Sequence, residues 1–315
     1  MAKKQDKLDA LLFIDTNIFL DFYRIRNKDV SMNYLDEIVK HKDILITSSQ
    51  VEMEFKKNRQ IVILESLSEY KKSQNINFNI PQIISDTKSV EILNASKDKI
   101  KTQHKKLSEK LESILTDPIK HDQVYKSLNK VFQNKSPFNL DRENETRFAI
   151  RELANKRFNL GYPPRKDKDT SIGDATNWEW IIRCATDSKK TIIIVTRDTD
   201  YGASYNDNLF LNDWLRQEFK QRVGSKRNII LTNKLSSAFK MVQIPVSQSM
   251  IEEENVIIEQ DVSINKFLEN FRRFKELSDE QRQSLSSGIF GSALPRIDFN
   301  RFSNYFNTDN DKESK

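Results

Sequence analysis

Four uninterrupted apolar residues, Leu11-Leu12-Phe13-Ile14, run directly into Asp15. A short, wholly apolar run bounded by polar residues is the pattern of a strand buried on both faces. Asp15 then sits at the strand's carboxyl end, the edge at which open α/β sheets bind their ligands. A carboxylate at the rim of an apolar core is unfavourable unless something pairs with it. The partner of Asp15 is therefore the first thing to look for.

Three further apolar runs share this character: Asp43-Ile-Leu-Ile-Thr47, Thr191-Ile-Ile-Ile-Val-Thr196 and Asn228-Ile-Ile-Leu-Thr232. Between them the spacing predicts helices. Ser31 reads as the cap of a helix over 32–41, with Tyr34, Leu35, Ile38 and Val39 inward. Ser48 or Ser49 caps the next, and Glu52 lies three residues after Ser49 as in a capping box. Further helices are expected over 141–159, from Gly173-Asp174 onward, over 208–222 and through Ala238, Phe239 and Val242. Strands linked by helices imply right-handed crossovers and parallel pairing. The fold class is α/β.

In the helix after the second strand, Val51, Phe55 and Val62 line one face. Glu52 and Glu54 flank that face almost symmetrically, so helical geometry does not choose between them. Val90, Leu93, Lys97, Ile100, His104, Leu107, Leu111 and Ile114 form a heptad-like seam, interrupted by Lys97 and His104. Pro118 opens a second helix with Val124, Leu128 and Phe132. Residues 88–133 are read as an inserted basic helical hairpin. Beyond Pro245 the pattern changes. Ile251–Ile258 reads as a strand around an acidic triplet, Phe267 to Leu277 as an amphipathic helix, and Asn307–Lys315 as disordered.

The formal net charge is +6, unevenly spread: residues 55–140 carry 16 Lys and Arg against 9 Asp and Glu. A basic segment beside an acidic site suits a polyanionic substrate. Acids follow the apolar runs at Asp15, at Glu52 and Glu54, and at Asp198 and Asp200; Asp174 starts the helix feeding the third strand. Singly, each is an ordinary turn former or cap. Together, at equivalent topological places, they converge on one edge of a parallel sheet. Clustered carboxylates repel unless a cation neutralises them. With one cysteine, Cys184, and three scattered histidines, the donors are oxygen only, which suits Mg²⁺ or Mn²⁺. No apolar run reaches the length of a membrane span, and no apolar signal core follows Met1, so a cytoplasmic protein is expected.

Ile14-Asp15-Thr16-Asn17 after a hydrophobic strand resembles the opening motif of PIN domains, the metal-dependent nucleases of toxin–antitoxin systems and RNA processing. A longer likeness is to a PIN-like subfamily found in bacterial proteins of uncharacterised or defence-related role. It covers Asp15 to Arg24, Val51 to Arg59, the Tyr162-Pro-Pro loop, Gly173 to Trp178 and Val195 to Asp200. It implies a three-layer α/β/α PIN-like domain over residues 9–245, with 246–315 a C-terminal extension. It favours Glu54 over Glu52, because Glu54 precedes an aromatic and the Asn58-Arg59 pair. It implies catalytic and metal-binding roles for Asp15, Glu54, Asp174 and Asp198, with Asp200 a further ligand. Thr16, Asn17 and Thr196 are expected to support them. Arg24, Asn58 and Arg59 are expected either to touch substrate or to brace the helix. Relatives carry an acidic or small residue before the last acid, where this chain has Arg197.

The expected activity is Mg²⁺- or Mn²⁺-dependent endonucleolytic hydrolysis, with RNA favoured over DNA, and a toxin or antiphage role is carried by the resemblance alone. A DNA-directed nuclease and a catalytically silent nucleic-acid- or partner-binding module are the competing readings. A haloacid-dehalogenase phosphatase wants a second acid at position 17, which is Asn. A P-loop ATPase wants a Gly-rich loop ending in Lys, which this chain lacks. For 246–315, self-association and a regulatory protein partner stand as the two roles.

Overall fold

The computed structural model describes residues 8–72, 79–165, 171–205 and 208–260. In chain order its elements are β1 (Ala10–Ile14), α1 (Thr16–Leu20), α2 (Lys28–Lys40), β2 (Leu45–Ser48), α3 (Ser49–Lys72), α4 (Lys88–Thr116), α5 (Pro118–His121), α6 (Gln123–Phe132) and β3 (Asn139–Leu140). They continue with α7 (Thr146–Asn159), α8 (Gly173–Ser188), β4 (Thr191–Val195), β5 (Gly202–Tyr205), β6 (Asn208–Leu211), α9 (Asp213–Arg222), β7 (Ile229–Thr232) and α10 (Leu235–Met241). Residues 248–260 are helical.

Five strands form one parallel sheet in the order β3-β2-β1-β4-β7. Helices flank it, giving the three-layer α/β/α architecture expected from the alternation of apolar runs and helical periods. Every residue of β1 is buried, as its unbroken apolarity requires. Its register sets Ile14 beside Val195 of β4, and Val195 lies beside Thr232 of β7. One residue beyond, the Asp15 amide donates to Val195 O at 2.9 Å and the Thr196 amide to Thr232 O at 3.0 Å. Asp15 and Thr196 therefore leave the sheet side by side.

Several local expectations give way to longer-range pairing. Asn27, not Ser31, caps α2: its side chain accepts from the amides of Asp29 and Val30. Ser31 lies a turn further in, its hydroxyl donating to Phe22 O. Ser48 satisfies the Val51 amide at the start of α3, while Glu52 turns outward to Lys56, so no capping box forms. Strand β3 was not expected; its two residues pair with Thr47 and Ser48, and α7 starts only at Thr146. Residues 208–211 are strand rather than helix, because β6 pairs antiparallel with β5 before Asn212 caps α9.

Helix α4 meets α3 and α5, while α6 packs on α2 and β2. Leu128, Val131 and Phe132 of α6 are buried in the main core, with the Phe132 ring 5.8 Å from Phe19 and 5.7 Å from Phe55. The seam drawn along α4 is largely open to solvent: Leu93, Ile100 and Leu107 are 41%, 40% and 52% exposed.

Residues 251–258 are helical, not extended. Met250, Glu254 and Ile257 are buried at the three- and four-residue spacing of one helix face. Glu254 is the informative member. Its carboxylate accepts from the amides of Leu235 and Ser236 at the start of α10, and from the Tyr34 hydroxyl. A charge supplied from another helix thus satisfies amides that α10 cannot satisfy itself. One compact unit runs to Ile257 and a second begins at Ile258. The amphipathic helix and disordered end expected beyond residue 260 lie outside the described residues.

Glu254→Ala leaves those amides without a partner and should lower the unfolding free energy by about 1–3 kcal/mol. The exposed neighbour change Glu252→Ala should stay within about 0.5 kcal/mol. Urea denaturation of the two variants compares them directly.

Candidate active site

The site begins where β1 runs out. Asp15 has extended backbone angles and caps α1, its Oδ1 accepting from the Thr16 amide at 2.7 Å. Its Oδ2 accepts from the Thr196 hydroxyl at 2.5 Å and from Asn17 Nδ2 at 3.1 Å. Thr196 in turn accepts from the Asp198 amide at 3.0 Å and from Asn17 Nδ2 at 3.3 Å. One hydroxyl has one hydrogen and two acceptor positions, and all three are used. This arrangement fixes the orientation of the Asn17 amide. Its Oδ1 is buried without a hydrogen-bond partner among the described residues.

The second wall comes from α3. Glu54 Oε2 accepts from the Thr16 hydroxyl at 3.2 Å, and Oε1 accepts from Gln50 Nε2 at 2.7 Å. Gln50 stands one turn before Glu54, the spacing at which helix side chains meet. Glu52 points away to Lys56 and does not line the cleft, whereas Glu54 does. The third wall is the start of α8. Gly173 lets α8 start close against this wall: a Cβ would meet Glu54 Oε1 and lie 2.9 Å from Gln50 Nε2, so those side chains would have to shift. Asp174 follows in the first turn, where the helix dipole favours negative charge.

Asp15, Thr16, Asn17, Glu54, Asn58, Asp174 and Asp198 line one open cleft of about 290 Å³, together with Gln50, Lys57, Ser171 and Gly173. Burial pushes the Asp15 carboxyl up to about 7, and Asp198 and Glu54 push the same way against the hydrogen bonds from Thr196 and Thr16. The other expected residues lie elsewhere. Asp200 sits in the single turn Thr199–Tyr201 and does not line the cleft. Arg24, also off the cleft, pairs with Asp21 at 3.1 Å. Arg59 is buried, its Nε shared between Asp122 at 2.7 Å and the Tyr23 hydroxyl at 3.1 Å and its Nη2 donating to Ile114 O. At 2% exposure its guanidinium is closed off from a phosphate.

Gln50, Lys57 and Ser171 were not among the expected residues. The four-residue offset from Glu54 was a usable signal for Gln50 and nothing comparable marked Ser171. Tyr201 is buried, and after burial itself the carboxylates of Asp174, Asp15, Glu54 and Asp198 push its phenol well above the usual range.

Oxygen donors alone, with the partnerless Asn17 Oδ1 among them, match a hard divalent cation in kind. Among the described residues no three His, Cys, Asp or Glu side chains are drawn close enough together to enclose one.

A parallel α/β sheet gathers four carboxylates at one cleft by its carboxyl edge. The PIN domain family model matches residues 12–201, and the chain belongs to that family. That span includes the four acids of the cleft. No curated protein and no solved structure matches the chain. Members of the family are generally metal-dependent nucleases acting on nucleic acid. Among the described residues no helix is long and apolar enough to cross a membrane.

Asp15 binds its proton more tightly in the folded than in the unfolded chain. Metal-free protein should therefore lose stability as pH rises from about 4 to 7. Asp15→Asn should flatten that decline and raise the neutral-pH stability of the metal-free protein by about 1–3 kcal/mol. Thermal melting across this range, with chelator present, measures both.

Proposed function

We propose that this chain is a divalent-metal-dependent endonuclease, with RNA as the favoured substrate. The observation that carries this reading is the convergence of Asp15, Glu54, Asp174 and Asp198 on one cleft from four separate segments. These four are the residues that would hold Mg²⁺ or Mn²⁺, with the Asn17 carbonyl oxygen beside them. Asp200, off the cleft, is the weakest member of the expected set. The cation, when bound, neutralises charge on the phosphate and makes water a stronger nucleophile.

The chain's own residues have distinct tasks. Thr196 and Asn17 hold Asp15 in one orientation, so that its carboxylate is preorganised rather than rotating. Thr16 and Gln50 do the same for Glu54. Held near neutral in the metal-free site, Asp15 would have to give up its proton to hold a cation, so binding should tighten as pH rises through about 7. Lys57 and Asn58 line the cleft and are placed to receive a backbone phosphate. The surplus of Lys and Arg over residues 55–140 favours the approach of a polyanion, with an affinity that falls steeply with salt.

The test uses labelled single-stranded RNA and DNA with Mg²⁺ or Mn²⁺. RNA should be cut internally by the wild type. Asp15→Asn and Asp198→Asn should each lower kcat/KM by about a hundredfold or more, the size of effect seen when a key electrostatic group is removed. Asp200→Asn should cost far less. Cutting of DNA alone would assign the DNA-directed variant of the same reaction, and binding without cutting would leave the silent module.

A toxin or antiphage effector role extends this reading to the cell. Expression of the wild type should arrest growth and Asp15→Asn should not; equal arrest by both would remove this role.

A further inference from the structure

Tyr201 is the residue of this region that the reading above leaves without a task. It closes the turn after Asp198 and is 1% exposed. Its ring lies between Phe13 of β1 and Trp178 of α8, at 6.5 and 6.4 Å between centroids. Its carbonyl accepts from the Asn212 amide at 2.9 Å, which ties the turn to the start of α9. The ring is therefore packed by two aromatic neighbours and its backbone is tied down by a third residue.

Its hydroxyl has no hydrogen-bond partner among the described residues. The contrast with its surroundings is sharp. Thr196 uses its hydrogen and both acceptor positions, and Thr16 and Gln50 each donate to Glu54. The charged groups acting on the phenol are the four acids of the cleft, with Asp174 foremost. Ionised carboxylates are acceptors only. A protonated phenol among them can serve them only as a donor. As packing alone, a phenylalanine would fill the same space without burying a polar atom.

Resting on the nuclease reading, we propose that Tyr201 is a positioning residue of the site, its hydroxyl serving Asp174 as hydrogen-bond donor when a divalent cation is bound. It would set the orientation of the carboxylate that enters from α8, as Thr196 sets that of Asp15.

The experiment compares wild type, Tyr201→Phe, Asp174→Asn and the double variant as full chains, with Mn²⁺ as the probe. Metal-free Tyr201→Phe should melt at or above the wild-type temperature. Its Mn²⁺ dissociation constant, by calorimetry, should rise three- to tenfold. Its kcat on RNA should fall about tenfold or more with KM unchanged. In the Asp174→Asn background the same change should have less than a twofold effect on Mn²⁺ binding. Mn²⁺ should also perturb the tyrosine absorbance of wild type, and this signal should be absent from Tyr201→Phe. An active wild type with Tyr201→Phe unchanged in Mn²⁺ affinity and kcat overturns the proposal alone. So does a metal-free Tyr201→Phe that melts well below wild type, or an undiminished effect in the Asp174→Asn background. A wild type that neither binds Mn²⁺ nor cuts nucleic acid overturns the nuclease reading and this proposal with it.

Discussion

The hydrogen bond from the Thr196 hydroxyl to the Asp15 carboxylate joins the ends of the two central strands. It sets the first acid of the cleft. Strand β1 buries all five of its residues, and beyond it Thr16 and Asn17 supply only part of what the Asp15 carboxylate accepts. Strand β4 ends in the same register and supplies the hydroxyl. The Asp198 amide then closes on that hydroxyl, so the loop carrying the next acid is set by the same atom that sets the first. A valine at 196 would keep the shape and lose all three bonds.

The interior charges away from the cleft follow a different rule. Arg59 and Asp122 are both nearly fully buried and satisfy one another with the Tyr23 hydroxyl. Arg157 lies against Glu179 and Glu218, Arg222 bridges the same two acids, and the Trp178 indole donates to Glu218. In both clusters cations and anions are matched within hydrogen-bonding distance, which is the condition for keeping charge inside a protein. At the cleft Asp15 meets hydroxyls, amides and other acids, and burial with the like charge of Asp198 and Glu54 shifts it toward neutrality.

The central strands were legible because burial on both faces writes itself as unbroken apolar runs. Strands β1, β4 and β7 fall where those runs stand, and β2 ends on Ser48, one residue past its run. The acids were legible because each follows such a run or opens the helix that feeds one. Elements held by distant partners were not legible. Strand β3 is two residues long and exists through its pairing with β2. Residues 208–211 have the composition of a helix start and become strand because Gly202–Tyr205 lies opposite. Glu254 stood in an acidic triplet with nothing local to mark it, since its partners are amides some twenty residues earlier in the chain. Arg59 sat beside Asn58 in a familiar string, yet one helical step separates a residue lining the cleft from one locked in a buried ion pair.

That last contrast bears on how a basic chain can present an acidic site. The cationic side chains that sit deepest are spent on internal carboxylates, as with Arg59, Arg157 and Arg197. Lys57, at the cleft itself, is exposed, as are most of the lysines along α4. Positive charge is thus kept at the rim and on the outer helices, where it draws a polyanion in through long-range attraction. Negative charge is kept at the floor, where a polyanion alone would be repelled. A phosphate can approach such a floor closely only when a cation lies between them, so the separation of charge by depth itself couples substrate docking to metal binding.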